Sequence, residues 1–342
     1  MEFMIGSRMV GDGHPCFIVA EVGSNHDQDL DQALRLIDMA ADAGVDAVKF
    51  QTFRAASHYS RRAPGFSYLD GQDTYSLIES LELDRTWQPR LMGHARDRGV
   101  EFFSSPCDLE ALRELDDLGA PAHKLASFDL PDTQFITAMS RTGKPIVLST
   151  GLASWQDIEF ALEAMQENKK VILLQCTSLY PAPAHLANLR AMASMRSAFG
   201  TLVGYSDHTM GDQLAIAAVA LGACFLEKHV TLDRGLPGPD HPFAMEPGEL
   251  RAMVDRIRDV EAGLGDGRKS GPRPQEQEMA AKGRRSLHAS RDLPQGTVIT
   301  DEHLVVKRPG LGISPSLRDH VIGRQAARLI EADEWITWET LR

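Results

Sequence analysis

Eight short apolar segments, separated by longer amphipathic stretches, are the feature that most constrains how this 342-residue chain folds. Nearly continuous apolar runs of this length are typical of parallel strands that are covered on both faces. The predicted strands are residues 16–22, 47–51, 100–105, 123–127, 146–150, 171–176, 202–206 and 224–229.

Helix-like periodicity occupies several of the stretches between these strands. Leu30, Ala33, Leu34, Ile37 and Ala40 lie on one stripe of a predicted helix at 29–43. Similar patterns predict helices at 108–118, 154–167, 187–199, 213–221 and 247–261. A glycine shortly precedes six of the strands, as expected where a helix ends in a left-handed residue; these are Gly44, Gly99, Gly119, Gly143, Gly200 and Gly222.

Eight strand–helix units within about 250 residues indicate a (β/α)8 TIM barrel, an α/β fold. The alternative is an open doubly wound sheet. That alternative is disfavoured because no GxGxxG motif follows the first strand and because the count of strands is eight. We therefore assign residues 1–262 to the barrel.

The chain changes character after Glu261. Residues 263–283 are rich in Gly, Pro and charge and predict a linker. Residues 284–342 form a small domain with short predicted strands at 286–289, 297–299 and 304–307. Such a domain is too small for a generous core of its own. We expect it to dock on the barrel or on a second subunit.

Charge and cysteine content exclude several classes of protein. The chain contains 36 Lys and Arg and 48 Asp and Glu, which gives a net charge of −12. Because such a chain would repel a phosphate backbone, nucleic acid is not an expected partner. The four cysteines form no CxxC pair, which argues against a zinc ribbon or a disulfide framework and for free thiols in a reducing cytoplasm. No apolar run is long enough for a signal peptide or a membrane helix, so no membrane partner is expected.

Polar side chains stop the apolar strands at the end where barrel enzymes bind their substrates. His208 and His229 end neighbouring predicted strands, which places two imidazoles close enough to hold one divalent ion. Two protein ligands would leave an open site that polarises a substrate. The alternative for each histidine is an ordinary hydrogen-bonded side chain. His26, His58, His94, His185 and His303 are expected to have no such role.

Charged residues inside the apolar strands indicate the rest of the site. Glu21 is predicted to be buried, and a buried carboxylate is costly unless it is paired or functional. Lys49 and Lys124 could bind an anion, and Ser105 and residues 149–151 could hold phosphate oxygens. These residues fit addition of a carbon nucleophile to a carbonyl, with a phosphorylated or carboxylated substrate.

Six segments resemble the sialic acid synthase family, which includes the N-acetylneuraminate, legionaminate and pseudaminate synthases. The segments are Ala20-Glu21-Val22-Gly23-Ser24-Asn25-His26, Val48-Lys49-Phe50-Gln51-Thr52, Cys176-Thr177-Ser178-Leu179-Tyr180-Pro181, Gly204-Tyr205-Ser206-Asp207-His208-Thr209, Glu227-Lys228-His229 and Gly238-Pro239-Asp240-His241. The tail, with Val306-Lys307-Arg308-Pro309-Gly310, resembles the family's antifreeze-like β-clip (SAF) domain. In that family the domain swaps across a homodimer and caps the partner's barrel.

The resemblance implies a transferase that joins phosphoenolpyruvate to an N-acetylated hexosamine aldehyde, N-acetylmannosamine or a relative, and releases phosphate. It implies Mn2+ at His208 and His229, with Mg2+ or Co2+ as alternatives, and proton transfer by Glu21. The phosphoenolpyruvate-binding residues it implies are Lys49, Ser105, Lys124, Ser127 and Ser206. The sugar-binding residues it implies are Gln51, Asp129, Tyr180, Asp240 and, from the neighbouring subunit, Arg308, with Glu227 orienting the site.

Two departures leave the sugar open. Ser127-Phe128-Asp129 stands where the N-acetylneuraminate enzymes resemble Ser-Gly-Glu, and Ser178 stands where they carry Asn. Both look more like the pseudaminic acid synthases, which use a di-N-acetylated 2,4,6-trideoxyhexose. Residues 238–241 look more like the sialic and legionaminic branches. The remaining alternatives are another metal-dependent barrel aldolase or isomerase, and a non-enzymatic binding module.

Overall fold

The computed structural model describes residues 1–65, 73–165 and 168–342, and two compact units make up the chain, Met1–Gly265 and Asp266–Arg342. The first unit opens with an antiparallel hairpin, β1 (Glu2–Ile5) and β2 (Arg8–Gly11). An eight-stranded parallel sheet follows. Its strands are β3 (Phe17–Gly23), β4 (Ala47–Thr52), β5 (Glu101–Pro106), β6 (His123–Leu125), β7 (Ile146–Ser149), β8 (Val171–Cys176), β9 (Leu202–Asp207) and β10 (Phe225–His229).

The eight strands form the predicted TIM-like barrel. Their hydrogen-bonded order is β5-β4-β3-β10-β9-β8-β7-β6, and the end strands β5 and β6 lie side by side. Helices surround the sheet and bury their apolar faces against it. They are α1 (Leu30–Ala43), α2 (Ala55–His58), α3 (Thr74–Ser80), α4 (Gln88–Asp97), α5 (Leu109–Asp117), α6 (Thr133–Ser140), α7 (Trp155–Ala164), α8 (Ala191–Phe199), α9 (Gln213–Ala220) and α10 (Pro247–Leu264).

Helix ends follow from local sequence. The Asp29 carboxylate accepts the backbone N–H groups of Asp31 and Gln32, which begins α1, and Gly44 ends it in the left-handed region at φ 83°. All six glycines predicted to end helices have positive φ. Ser154 caps α7 as predicted, and the last two residues of predicted helix 154–167 lie outside the described residues.

The hairpin β1–β2 was not predicted from the sequence. Ile5 and Val10 are fully buried in one cluster with Phe17, Phe103 and Phe225 near the amino ends of the strands. Because side chains fill this layer, the barrel interior is a packed core there. Polar side chains are therefore free to gather at the opposite, carboxyl end.

The second unit contains α11 (Gln277–Gly283), β11 (Ser286–Ala289), β12 (Leu304–Lys307) and α12 (Arg318–Val321). The antiparallel pair β11–β12 packs on a small cluster that includes Leu287, Ile299 and Ile336. The third predicted strand, 297–299, was wrong: Val298 makes a single bridge to Gln325 and its side chain is 48% exposed. A three-residue segment between two turns is too short to form a continuous series of hydrogen bonds with a neighbouring strand. Among the described residues, no helix is both long enough and apolar enough to span a membrane.

Candidate active site

Glu21 and Lys49 form a buried ion pair at the carboxyl ends of β3 and β4. The Lys49 Nζ lies 2.7 Å from Glu21 Oε2 and donates to Ser105 Oγ at 3.2 Å. Gln51 Nε2 donates to Glu21 Oε1 at 2.7 Å. Parallel register places Glu21 beside Lys49, and Gln51 beside Ser105. Adjacent strands thus bring four predicted site residues into one hydrogen-bonded group.

A second buried acid lies on the other side of Lys49. Glu227 Oε1 lies 3.8 Å from Lys49 Nζ and accepts from Ser206 Oγ at 3.3 Å. Its Oε2 is buried without a hydrogen-bond partner. Glu21 and Glu227 therefore flank one ammonium group, and Glu227 keeps an acceptor free for a ligand.

Lys124 lies among small residues that together form a second polar group, which we call the lysine cradle; its members are Lys124, Ser127, Ser149 and Gly151. Lys124 Nζ donates to Ser149 Oγ at 2.7 Å, and the Gly151 backbone N–H donates to Ser127 Oγ at 3.0 Å. A methyl group at Gly151 would overlap Ser178 Oγ and lie 2.8 Å from Ser127 Oγ. The Ser178 hydroxyl is buried and has no hydrogen-bond partner among the described residues. Glycine at 151 lets the two serine hydroxyls approach the backbone closely, and an ammonium, a backbone N–H and hydroxyls brought together in this way suit a small anion.

The two predicted histidines do meet. The ring centroids of His208 and His229 are 5.5 Å apart, and the Tyr180 ring lies 4.2 Å from His208 and 6.0 Å from His229. Asp240 Oδ2 lies 3.8 Å from His229 Nδ1. A methyl group at Gly23 would lie 3.4 Å from both Glu21 and Gln51 and 3.5 Å from Asp240. The imidazoles, Asp240 and the Glu21 group therefore share one region.

This region fits a divalent cation. His208 Nδ1 faces the Thr177 carbonyl oxygen at 2.8 Å, so Nδ1 carries the proton and Nε2 remains as a donor of electrons. His229 Nδ1 is buried, has no hydrogen-bond partner among the described residues, and lies 3.8 Å from a carboxylate oxygen. Two imidazole nitrogens beside a carboxylate match the ligand preferences of Mn2+ and its neighbours.

Burial and the close charges set the pKa values of the acids. Burial raises the pKa of Glu21 to about 7, although Lys49 opposes the shift. Burial alone would raise the pKa of Glu227, but Lys124 and Lys49 outweigh it and hold that pKa below its usual range. Burial raises the pKa of Asp240 to about 6. Glu21 is thus poised to exchange a proton near neutral pH while Glu227 stays ionised.

The pKa values of the basic groups shift in different directions: that of Lys49 rises, and those of Lys124 and His229 fall. Burial opposes the charge on Lys49, but Glu21 and Glu227 prevail and raise its pKa. Burial lowers the pKa of Lys124. Burial, helped by His208, lowers the pKa of His229 well below its usual value, so this ring is neutral and able to ligate a cation.

Two predicted site residues lie apart from the main group. Asp129 belongs to a short 3-10 turn after β6, near His58 and Cys107. In a regular strand, Lys124 and Ser127 would point to opposite faces. Because β6 ends at Leu125 and a turn follows, both side chains can face the same anion-binding group. Arg308 lies in the second unit, where its Nε donates to the Gly283 carbonyl oxygen at 2.7 Å.

The sequence interpretation missed a buried pair behind the histidines. Lys228 Nζ lies 2.7 Å from Asp207 Oδ2, and Thr209 donates its N–H and hydroxyl to Asp207 Oδ1. Each charged residue directly precedes one histidine, so strand alternation, which places them on the opposite face, was the available signal. The sequence interpretation gave no role to Cys107, which directly follows β5, or to His58, which ends α2.

Cavities elsewhere are less suited to this chemistry. One of about 690 Å³ lies in the second unit between Lys269, Met279, Arg284 and Arg308, and one of about 530 Å³ lies beside Trp155 on the outer helices. Neither brings together buried groups of opposite charge. The site is therefore identified by its convergent polar groups rather than by volume.

Comparison with known families gives two matches. The NeuB family model matches residues 36–269, and the SAF domain model matches residues 284–342. The first match covers most of the barrel unit, and the second covers the tail from Arg284 to the last residue. The two matches therefore fall on the two parts that the sequence motifs distinguish.

Similar proteins cover nearly the whole chain. The N,N'-diacetyllegionaminic acid synthase of Campylobacter jejuni is 38% identical, over 93% of this chain and 98% of that protein. A pseudaminic acid synthase of the same species is 34% identical, over 92% and 93%. The crystal structure of N-acetylneuraminic acid synthetase from Leptospira borgpetersenii superposes with a TM-score of 0.75 at 34% identity, over 81% of this chain and 94% of that one.

Proposed function

Because the chain belongs to the NeuB family of sialic acid synthases, with a C-terminal SAF domain, we propose that it condenses phosphoenolpyruvate with the open-chain aldehyde of an N-acetylated hexosamine. The product is a nine-carbon 2-keto acid, and inorganic phosphate is released. N-acetylmannosamine or a relative is the proposed sugar, and a di-N-acetylated 2,4,6-trideoxyhexose is the alternative. Proteins named for N,N'-diacetyllegionaminic acid, pseudaminic acid and N-acetylneuraminic acid match at 38%, 34% and 34% identity, so overall similarity does not choose between the two kinds of sugar.

The observation that carries this proposal is the buried group at the carboxyl end of the barrel. Lys49 and Lys124, both 2% exposed, can neutralise the phosphate and carboxylate of phosphoenolpyruvate. The Gly151 N–H and the hydroxyls of Ser127, Ser105 and Ser206 supply further donors. An anionic three-carbon substrate is thereby fixed next to the imidazoles.

The bond changes follow from this placement. The C3 carbon of phosphoenolpyruvate attacks the aldehyde carbon, water adds at C2, and the bond between C2 and the bridging oxygen breaks as phosphate leaves. The attacking water loses one proton as it adds at C2, and the aldehyde oxygen gains one. When the bond between C2 and the bridging oxygen breaks, the new C2 hydroxyl loses its proton to the departing phosphate and becomes the keto group. Glu21 Oε2, with its pKa raised to about 7, is the group proposed to take the proton from the water.

His208 and His229 are the residues proposed to hold a divalent cation, Mn2+ with Mg2+ or Co2+ as alternatives. Such a cation would polarise the aldehyde and stabilise charge developing on its oxygen. Tyr180 packs on both rings and orients them, and Glu227 lies behind Lys49. Gln51, Asp240 and Asp129 are the proposed sugar contacts from the barrel unit.

We also propose a domain-swapped homodimer in which Arg308 of one chain reaches the partner's barrel. Four apolar side chains after β6, β7, β8 and β9 are exposed by 46–75%, and a soluble monomer rarely leaves such a group uncovered; they are Phe128, Leu152, Leu179 and Met210. The four free cysteines fit the reducing cytoplasm, which is the proposed location.

A panel of sugars incubated with phosphoenolpyruvate and Mn2+ tests the proposal. The expected result is stoichiometric phosphate release and a nine-carbon acid, detected by mass spectrometry, with one of the proposed amino sugars. His208→Ala should abolish the product, while Lys170→Ala, at the amino end of β8 and away from the proposed site, should leave it intact. Sugar turnover without consumption of phosphoenolpyruvate would favour an aldolase or isomerase and contradict the proposal.

A further inference from the structure

Three segments of the barrel rim bring together three different metal-ligating groups apart from the paired histidines and the Glu21 group. His58 ends α2 after strand β4, Cys107 directly follows β5, and Asp129 lies in the turn after β6. One ligand atom from each, an imidazole nitrogen, a thiol sulfur and a carboxylate oxygen, all lie within 4.8 Å of one another. The strands β4 and β5 are paired, and β6 lies beside β5, so the carboxyl-end loops converge.

Protein contacts do little to satisfy these three groups. His58 Nε2 and Asp129 Oδ1 are 3.9 Å apart, beyond hydrogen-bond distance. Cys107 Sγ donates a long hydrogen bond to the Ser105 carbonyl oxygen, at 3.8 Å. Within the part of the chain that the structure describes, the three side chains lie near one another without hydrogen bonds between them, which leaves their ligand atoms available.

The two acidic groups of this cluster both hold their protons more strongly than usual. Burial, with a contribution from the Asp129 carboxylate, holds the pKa of the Cys107 thiol well above its usual value. Burial also raises the pKa of Asp129, although His58 and Lys124 oppose that shift. A divalent ion would compensate the buried carboxylate and replace the thiol proton.

We propose that His58, Cys107 and Asp129 form a second metal site, selective for a borderline-soft divalent ion such as Zn2+. Sulfur, nitrogen and oxygen ligands in one set match Zn2+ rather than Mg2+ or Ca2+. Zinc–ligand lengths of about 2.0–2.3 Å imply tetrahedral ligand atoms roughly 3.5 Å apart, so the three loops need to close by about 1 Å. Three protein ligands leave a fourth position open to water.

The consequence for activity rests on the proposed function. Asp129 is a proposed contact to the sugar, and a bound Zn2+ would occupy that carboxylate. The second site is therefore inhibitory. Zn2+ should raise the KM for the sugar and leave the KM for phosphoenolpyruvate unchanged, because the lysine cradle does not involve these ligands.

Cobalt substitution tests the site without measuring catalysis. Metal-stripped full-length protein loaded with Co2+ should show a thiolate-to-cobalt charge-transfer band in the near ultraviolet. Cys107→Ser should abolish the band, and His58→Gln should weaken it. Cys176→Ser is the matched control, because Cys176 Sγ lies 3.7 Å from His208 Nδ1 and is the other thiol near a proposed ligand. Absence of the band from the unaltered protein, or its loss only in Cys176→Ser, would overturn the proposal.

Zinc stoichiometry gives a second readout. Equilibrium dialysis against Zn2+ followed by elemental analysis should find one ion fewer per chain in Cys107→Ser than in the unaltered protein, with circular dichroism verifying that both are folded. Equal stoichiometry would overturn the site. Neither readout requires turnover, so failure of the zinc site and failure of the synthase proposal are distinguishable.

The inhibitory role has its own test. With Mn2+ present, Cys107→Ser should turn over like the unaltered enzyme but require at least tenfold more Zn2+ for half-inhibition. Inhibition that is competitive with the sugar and is relieved by this substitution supports the role. Equal zinc sensitivity of the two proteins would contradict it.

Discussion

Gly151 shows how much one residue can decide in this site. Its φ is outside the left-handed region, so alanine is compatible with the backbone, yet a methyl group there would fill the space between Ser127 and Ser178. Gly151→Ala should therefore weaken phosphoenolpyruvate binding about 10–100-fold, the effect of losing one or two hydrogen bonds to a charged group. Gly248→Ala is the control, since nothing lies within 4 Å of its added methyl group. If the KM for phosphoenolpyruvate rose equally little in both variants, the proposal that the lysine cradle binds phosphoenolpyruvate would be contradicted.

The buried carboxylate of Glu21 should support activity and, once ionised, lower the stability of the fold. Replacement by Gln should reduce kcat about 10²–10⁴-fold if the carboxylate accepts a proton in the reaction. The pKa of Glu21 is about 7 in the fold against 4.5 ordinarily, so the folded state binds the extra proton between those pH values. The group's stabilising contribution is present below about pH 4.5 and is lost as the pH rises through about 7.

Thermal unfolding in EDTA at several pH values measures this effect. The melting temperature of Glu21→Gln minus that of the unaltered protein should increase between pH 5 and pH 8, by the equivalent of up to about 3 kcal/mol. The substitution should therefore cost the protein less stability at pH 8 than at pH 5 while it inactivates the enzyme at both. A difference that is constant with pH would show that the Glu21 pKa is not raised.

Strands and helices were predictable where the chain repeats a pattern. All eight barrel strands were predicted within two residues of their observed bounds, since a strand that is buried on both faces must be apolar throughout. Helix α4 was not predicted, because Pro89 and Gly93 interrupt its pattern and only Leu91 and Ala95 are buried apolar residues within it. Helix α6 is short and contains β-branched residues, which weakens a helical signal.

The site was predictable to the extent that strand geometry determines it. The meeting of His208 with His229, and of Glu21 with Lys49, follows from adjacent parallel strands whose last residues face the same end. In the barrel, β9 is the neighbour of β10 and β3 is the neighbour of β4, so these pairs of residues lie side by side. The position of Asp129 depends instead on a loop turn, for which the sequence provides no register. The same holds for its neighbours Cys107 and His58.

The pair Asp207–Lys228 joins β9 to β10 directly behind the two histidines. Both side chains are buried, so removing one partner leaves an uncompensated charge that costs about 3–5 kcal/mol. We expect Lys228→Met to destabilise the barrel and to weaken Mn2+ binding by moving His229 relative to His208. The double variant Asp207→Asn with Lys228→Met should be less destabilised than Lys228→Met alone. Urea unfolding and metal titration measure both effects; additive losses would show that the pair is not coupled.

The whole molecule combines a barrel that holds the proposed chemistry with a small C-terminal unit that carries Arg308. If Arg308 acts on the partner's barrel, Glu21→Gln and Arg308→Ala are each inactive alone but complement each other. Refolding an equal mixture should restore about a quarter of the original activity, because half of the random dimers are mixed and each has one intact site. Activity that stays at the level of the single variants would place Arg308 on its own barrel or outside the site.

The overall charge of −12 contrasts with the ammonium groups of Lys49 and Lys124, which are buried at the carboxyl end of the barrel. Substrate selection therefore depends on the local lysines, and phosphoenolpyruvate labelled with ¹⁸O at its bridging oxygen tests their proposed chemistry most directly. The account predicts that the released phosphate carries the label and that the nine-carbon acid does not, because the bond from C2 to that oxygen breaks after water adds at C2. Unlabelled phosphate, or no consumption of phosphoenolpyruvate with any amino sugar, would contradict it.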